Sequence, residues 1–195
     1  MDSPWANIGE RRQPEYYQQS LVLTFSEAIK RRVFVYSECM KFLCDEMLKG
    51  LARWLRAAGY DVVVEADGTE DTVLLERANI EDRILLTRDR RFAETLPDSD
   101  GVILLACNDQ DDCFKEVSQK LAVNWLLKPF SRCLACNTLL IAGKAEQWDR
   151  VPEHSRQLAS QLLYCPNCDQ VFWDGSHVKQ MRERLQRAAA ESLQK

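Results

Sequence analysis

Residues 41–65 read KFLCDEMLKGLARWLRAAGYDVVVE, and this stretch contains a strand, a helix and a second strand. Apolar side chains over 41–44 predict a short buried strand, and leucines at helical spacing predict a helix over 46–58. Gly59 fits the position after a helix end, where the backbone often turns left-handed, and the run over 60–65 predicts the next strand. Because parallel strands need a crossover helix between them, this stretch favours a parallel sheet.

The same alternation of apolar strands and helices continues along the chain. The sequence predicts helices over 72–80, 90–95 and 111–126, and strands over 83–87 and 102–106. Strands that are apolar throughout are typical of sheets buried on both faces. The predicted fold class is therefore α/β, a parallel sheet flanked by helices, and such sheets carry their sites at the carboxyl ends of the strands.

The chain has 195 residues, a formal net charge of −4 and apolar runs far too short to span a bilayer. These values predict one domain with a small appendage and no membrane segment. The N-terminus carries no basic and then apolar leader, so we expect a cytoplasmic protein with reduced thiols. Residues 128–195 hold 10 basic and 7 acidic side chains, a mild positive balance that fits either nucleic-acid binding or a solvated surface.

Two CxxC pairs, Cys133 with Cys136 and Cys165 with Cys168, are the strongest chemical signal in the chain. Pairs of this kind, joined by a loop, build a tetrahedral thiolate cage for zinc. The alternatives are two disulfides or chance placement. Because the other cysteines follow no pattern, we expect a structural zinc ribbon, and a closed four-thiolate site holds structure without doing chemistry.

Three aspartates lie where the predicted strands end, at the same edge of the sheet. Asp45 comes directly after the first strand, Asp89 follows the third strand, and Asp71 opens the second helix. Carboxylates suit Mg²⁺ or Mn²⁺, which stabilise charge on a transferring phosphoryl group and activate water. Each aspartate could instead be only a helix N-cap. Further acidic candidates near this edge are Glu46, Asp67, Glu70, Asp109, Asp111 and Asp112.

Basic residues near these acids are candidates for RNA binding. Lys49, Arg53 and Arg56 follow one another at helical spacing and predict a basic stripe that would suit phosphate oxygens. The alternative is a solvated helix face. Arg88, Arg90 and Arg91 surround the third aspartate, where they could balance the acids or grip the scissile phosphate, and Arg88 could equally pair with a neighbouring carboxylate.

Aromatic residues accompany the cysteine pairs. Trp148, Phe172 and Trp173 lie near the pairs in sequence, together with the basic residue Arg132. Aromatic side chains in such a place either stack on unpaired bases or form the core of a small ribbon. Residues 176–195 contain good helix formers and predict a basic C-terminal helix.

Four motifs follow one another along the chain: FLCDEMLKGLARWLRAAGYD over 42–61 with Asp71 after it, RILLTRDR over 83–90, SRCLACN over 131–137, and WDGSH over 173–177. In this order they resemble the mutator-seven C-terminal RNase family, and the resemblance covers about residues 41–180. It implies a PIN-like fold with a C-terminal zinc ribbon. It also implies a divalent-metal RNase in which Asp45, Asp71 and Asp89 match the PIN-type acidic motif.

The predicted organisation has four parts: an N-terminal extension of unknown role over 1–38, a PIN-like nuclease domain over 39–128, a zinc ribbon over 129–180 and a basic helix over 181–195. PIN nucleases commonly use four acids, and a fourth is not obvious in this sequence. Two functions therefore stay open. One is a metal-dependent ribonuclease that hydrolyses RNA phosphodiester bonds, and the other is a non-catalytic module that retains the fold and binds RNA or protein.

Overall fold

The computed structural model describes residues 40–91 and 101–192. The extension predicted over 1–38 and the end of the helix predicted over 90–95 lie outside these residues. The main described elements are, in chain order, β1 Lys41–Cys44, α1 Lys49–Ala58, β2 Asp61–Val64, α2 Asp71–Ile80, β3 Ile84–Thr87, β4 Val102–Leu104, α3 Gln110–Lys120, β5 Ile141–Ala142, α4 Glu153–Arg156, β6 Leu162–Tyr164, β7 Val171–Trp173 and α5 Ser176–Ser192. Short 3-10 turns over Glu46–Leu48 and Ala145–Arg150 precede α1 and α4.

Strands β1 to β4 form one parallel sheet in the order β2, β1, β3, β4, which confirms the predicted fold class. The pairing places β1 in the interior of the sheet, where Leu43 pairs with Val63 on one side and with Leu85 on the other. Leu43 and Leu85 also pack against Leu74 and Ala78 of α2. Helix α2 therefore covers one face of the sheet.

The other face of the sheet carries the main core. Phe42 of β1 is buried in one cluster with Leu55 of α1 and Val117 of α3. Leu185 of α5 belongs to the same cluster, so the C-terminal helix completes the cover of this face. Helix α5 begins at Ser176, where the sequence predicts the start of the C-terminal helix.

Helix α3 is shorter than the sequence predicts, because it ends at Lys120 and not at residue 126. Leu121 is extended, with φ −134° and ψ 146°. Beyond the helix, Leu121, Val123 and Trp125 are buried while the residues between them are exposed. Alternation of this kind has the period of a strand and not of a helix. The extended chain therefore brings all three apolar side chains into the core.

The structure joins Cys107 and Cys113 by a disulfide, contrary to the expectation of reduced thiols outside the CxxC pairs. Cys107 follows β4, and Cys113 lies in α3 with its Cα atom 4.9 Å from that of Cys107. The chain turns back at the helix start, which brings the two buried side chains together.

The ribbon is a separate antiparallel sheet in the order β5, β6, β7. The first CxxC pair precedes β5, and the second lies between β6 and β7. None of the helices in the described ranges combines the length and the apolar character that crossing a bilayer requires.

Candidate active site and zinc centre

The four cysteines of the CxxC pairs come together at one point. Their Sγ atoms all lie within 4.8 Å of one another, with 3.5 Å between Cys133 and Cys168 and 3.3 Å between Cys136 and Cys165. All four are free thiols, so the alternative of two disulfides is wrong. Sulfurs that each lie about 2.3 Å from a tetrahedral zinc ion stand roughly 3.8 Å apart. The four-thiolate donor set and its spacing therefore fit a structural zinc ion.

Both CxxC pairs lie in matching turns, which we call the first knuckle (residues 133–137) and the second knuckle (residues 165–169). The residue after the second cysteine has a left-handed backbone, with φ 71° at Asn137 and 55° at Asp169. Asn and Asp are enriched in this conformation. In each turn this residue donates its N–H to the carbonyl of the first cysteine, over 3.0 Å from Asn137 to Cys133 and from Asp169 to Cys165. Each knuckle therefore has a residue type suited to the left-handed position of its turn.

Arg56 links helix α1 to the first knuckle. Its Nε donates to the Val62 carbonyl at 2.9 Å, and its Nη1 donates to the carbonyls of Leu134 at 3.1 Å and Ala135 at 2.8 Å. Arg56 is only 8% exposed, and this burial lowers the pKa of its guanidinium. The prediction of Arg56 as an RNA contact is therefore wrong, because the side chain lies under the knuckle and not on a solvent-facing stripe.

Polar contacts also join the first knuckle to the start of β2. Asn137 accepts the Val62 N–H at 3.0 Å and donates to the Asp61 carboxylate at 2.9 Å. Arg83 donates to the same carboxylate at 2.7 Å, and Arg132 lies 3.7 Å from it. Burial opposes the ionisation of Asp61, but these donors and charges outweigh burial and lower the pKa of Asp61.

The zinc centre and the acidic edge lie at opposite ends of the parallel sheet. The first knuckle contacts Asp61, the first residue of β2, whereas Asp45 directly follows the last residue of the neighbouring strand β1. Because these strands have four residues each, the two ends are at least about 13 Å apart along the strand direction.

Asp45 is a buried carboxylate, 7% exposed, at the carboxyl end of β1. Its Oδ1 accepts the Leu48 N–H at 3.1 Å, so the N-cap interpretation is confirmed for this residue. Its Oδ2 accepts two further hydrogen bonds, from the Thr87 hydroxyl at 2.6 Å and from the Arg88 N–H at 2.9 Å. The carboxylate therefore has a fixed orientation across two neighbouring strands.

Thr87 is a site residue that the sequence reasoning missed. It is fully buried, donates its hydroxyl proton to Asp45 and accepts the Asp89 N–H at 3.0 Å. One hydroxyl thus connects the carboxylate after β1 to the backbone of the aspartate after β3. The available signal was a polar residue closing the otherwise apolar strand Ile84–Thr87, directly before the Arg-Asp dipeptide.

Asp89 forms an ion pair with Arg91. Its Oδ1 accepts the Arg91 backbone N–H at 2.9 Å, and its Oδ2 lies 3.0 Å from Nη2 of the same residue. The Arg91 guanidinium and backbone N–H hold the pKa of Asp89 below its ordinary value. The Asp71 charge also acts on Arg91, raising the pKa of its guanidinium after the larger effect of Asp89. Arg91 therefore interacts with two of the three predicted acids.

Asp71 is the first residue of α2, and the N-cap of that helix is Glu70. The N-cap interpretation is therefore wrong for Asp71. Within residues 40–91 and 101–192, the four cysteines form the one group of three or more Cys, His, Asp or Glu side chains whose ligand atoms all lie inside 4.8 Å. The three aspartates share an edge of the sheet, but their carboxylates do not reach that mutual distance.

The loop between β2 and α2 is attached to the turn that follows Asp45. Glu46 accepts the Gly68 N–H at 2.8 Å, and Lys49 forms an ion pair with Asp67. Lys49 therefore has an acidic neighbour within the protein, although both partners are exposed.

The remaining predicted RNA contacts differ in exposure. Arg53 and Arg90 are exposed, and Arg88 is half-buried with its backbone N–H on Asp45. Arg53, Arg88 and Arg90 thus keep the positions that the sequence predicts, on α1 and beside Asp89, and their contact with RNA stays a prediction.

Fold and site together define a parallel α/β domain with an acidic strand edge and an appended four-thiolate ribbon. Residues 40–185, most of the chain, match the family model of the Mut7-C RNAse domain. The chain belongs to this family, which confirms the resemblance drawn from the sequence and points to a nuclease-like role. Neither curated proteins nor solved structures gave a significant match.

Proposed function

We propose that this protein is a divalent-metal-dependent ribonuclease that hydrolyses RNA phosphodiester bonds at the carboxyl edge of its parallel sheet. The main support is the hydrogen-bonded chain from Asp45 through Thr87 to Asp89, in a chain of the Mut7-C RNAse domain family. Active-site carboxylates need fixed positions, and a buried hydroxyl shared by two strands provides one.

Asp45, Asp71 and Asp89 are the proposed ligands of Mg²⁺ or Mn²⁺. An ionised carboxylate offers about four lone-pair sites, and Asp45 uses three of them for hydrogen bonds, which leaves one on Oδ1. Mg²⁺ typically binds through one or two carboxylates and keeps several waters, so it does not need a closed protein cage. When bound, the ion supplies neutralisation of phosphate charge and activation of water.

Arg91 must release the Asp89 carboxylate before Asp89 can bind a metal ion. Its side chain is 83% exposed, and exposed ion pairs contribute little to stability. Replacing Arg91 by a metal ion as the partner of Asp89 therefore costs little stability. Once released from Asp89, the guanidinium suits a phosphate oxygen of the substrate, as do the exposed side chains of Arg53 and Arg90.

The test is cleavage of labelled single-stranded, structured and transfer RNAs by the full zinc-loaded chain with Mn²⁺, with Mg²⁺, with neither ion, and with EDTA followed by re-addition of Zn²⁺ alone. We expect metal-dependent cleavage that Asp89→Asn abolishes, with folding and zinc content unchanged. The matched control is Asp149→Asn, which removes the same charge from an exposed position in the ribbon. Cleavage by Asp89→Asn at the parent rate would refute the assignment of this carboxylate.

A second candidate function is a non-catalytic RNA-binding or protein-interaction module with the same fold. The ion pair of Asp89 with Arg91 favours it, because that carboxylate already has a cationic partner. RNA binding by the zinc-loaded chain that persists without Mg²⁺ or Mn²⁺, with no cleavage under any metal condition, would support this module over the nuclease.

We also propose a cytoplasmic location, since the free thiols of the two knuckles persist best in a reducing compartment; the Cys107–Cys113 disulfide is the observation against it. Fractionation of cells that express the tagged chain tests this proposal.

A further inference from the structure

A groove lies between the ribbon sheet, the segment that leads into the ribbon, and helix α5. We call it the ribbon groove and define it by six of its lining residues: Phe130, Leu163, Phe172, Trp173, Val178 and Arg182. Most of its lining is apolar, and three of these six side chains are aromatic.

One face of the ribbon sheet, the face that carries Leu163, forms a wall of the groove. Leu163 of β6 pairs with Phe172 of β7, so both side chains lie on the same face, and both are half-buried. Leu162, the neighbour of Leu163 on the strand, points to the opposite face together with its cross-strand partner Trp173, and Leu162 is 5% exposed. Phe172 is therefore the aromatic side chain that the Leu163 face contributes to the groove.

Positive charge lies along one side of the groove. The Arg182 guanidinium lies 5.0 Å from the centre of the Phe130 ring, and the Arg182 side chain is exposed. Lys179, also exposed, lies in the same helix, which carries four basic and two acidic residues over 176–192. The carboxylate of Asp174 is engaged within the ribbon, where it accepts hydrogen bonds from Ser160 and from the Gln161 N–H.

Aromatic faces beside exposed cations are the features with which proteins hold single-stranded nucleic acids, because bases stack on the rings and phosphates pair with the cations. We propose that the ribbon groove binds an unpaired base of single-stranded RNA, with the adjoining phosphates on Arg182 and Lys179. This proposal rests on the proposed function for its ligand class and places a second RNA contact away from the acidic edge.

The position of the groove determines what length of RNA can use it. Phe130 donates its N–H to the Ala57 carbonyl near the end of α1, so the groove lies at the zinc end of the sheet. The acidic edge lies at the other end of strands that are about 13 Å long, and an extended single strand covers more than the roughly 3.4 Å per nucleotide of a stacked duplex. A long RNA therefore reaches both sites, whereas a dinucleotide, with its single phosphodiester, reaches only one at a time.

The experiment measures binding and contact directly, using the full zinc-loaded chain in a buffer without Mg²⁺, Mn²⁺ or chelator. A single-stranded oligouridylate that carries 5-iodouridine is crosslinked to the protein by light, the crosslinked residue is mapped by mass spectrometry, and the affinity is measured by fluorescence anisotropy. We expect crosslinks at Phe172, and affinity about tenfold weaker for Phe172→Leu. Arg182→Gln should also weaken binding, whereas Arg187→Gln, an exposed change on the same helix outside the groove residues, should not.

A second measurement uses the parent and the same variants with metal and cleavable RNA. Phe172→Leu should raise KM for long RNA, leave kcat unchanged and leave cleavage of a dinucleotide unaffected. Zinc content and the circular dichroism spectrum confirm that each variant is folded. Arg182→Gln provides the decision if Phe172→Leu does not fold, because Arg182 is exposed.

The outcomes separate this inference from the proposed function. Unchanged RNA affinity of the Arg182 variant, or crosslinks only outside the groove, would overturn the proposal that the groove binds RNA. If metal-dependent cleavage is seen at the same time, the proposed nuclease function stands. Groove crosslinks without any cleavage would support the groove and count against the nuclease. Binding of an apolar peptide to the groove, with no binding of RNA, would overturn the proposal in favour of a protein partner.

Discussion

Replacing Arg56 by Met should destabilise the protein strongly, because it removes the donors that join α1, β2 and the first knuckle. The change leaves three carbonyls without their guanidinium partner, those of Val62, Leu134 and Ala135. Val62 is fully buried, and a buried acceptor without a donor costs about 1–3 kcal/mol.

The other two carbonyls are partly accessible to water, so their loss costs about 0.5–1.5 kcal/mol each. Met fills a similar volume and avoids the desolvation of a charged group, which offsets part of this sum. We therefore expect a net loss of about 2–4 kcal/mol in the free energy of unfolding.

Urea unfolding of the zinc-loaded chain measures this loss, and the midpoint should fall by about 1–2 M. The matched control is Arg53→Met, which makes the same change one turn earlier at an exposed position and should shift the stability by less than about 0.5 kcal/mol. Equal midpoints for the two variants would refute the structural role of Arg56. So would weaker RNA binding by Arg56→Met with unchanged stability, since that result is expected of a phosphate contact.

Two further predictions concern the polar groups at the two ends of the sheet. Thr87→Val should lower the stability by about 1–3 kcal/mol and sharply reduce cleavage, because it removes the donor to Asp45 and the acceptor for the Asp89 N–H, whereas Thr87→Ser should restore both. Parent-like kcat in the Val variant, from the same RNA assay, would contradict the role of this hydroxyl. The pKa of Asp61 is lowered in the folded state, so its stabilising effect is complete above the unfolded pKa of about 3.9 and is lost as the pH falls through the folded value. Melting temperatures followed into acid should therefore fall less steeply for Asp61→Asn than for the parent, and identical slopes would show that the carboxylate with its Arg83 partner does not contribute.

Much of the parallel sheet could be predicted because its signals are local. Apolar runs gave the strands, and Gly59 gave the end of α1, where the structure has φ 106° and the Lys128 carbonyl would lie 2.5 Å from an added Cβ. Only a residue without a side chain fits there. The segment after Lys120 was wrongly predicted to be helical because it directly follows a helix and contains no Pro or Gly before Pro129. In the structure the helix ends at Lys120, and the burial of the next residues alternates with the period of a strand.

The prediction for Arg56 was wrong because helical spacing tells which residues share a side of a helix and not what covers that side. The carbonyls that cover it belong to Leu134 and Ala135, 78 and 79 residues further along the chain. Thr87 was missed for a related reason. Its partner Asp45 lies 42 residues away, and only the pairing of β1 with β3 brings the two together.

The contacts at the two ends of the sheet indicate how the zinc centre relates to the proposed chemistry. The first knuckle contacts the start of β2 and the end of α1, whereas the orientation of Asp45 depends on Thr87 and Arg88 at the other end. These two sets of hydrogen bonds share no residue, so within the described residues no hydrogen bond joins the four-cysteine cluster to the Asp45 carboxylate. Loss of zinc should therefore act through the stability of β2 and α1, lowering the fraction of folded chains while the remaining folded chains keep their acidic edge intact.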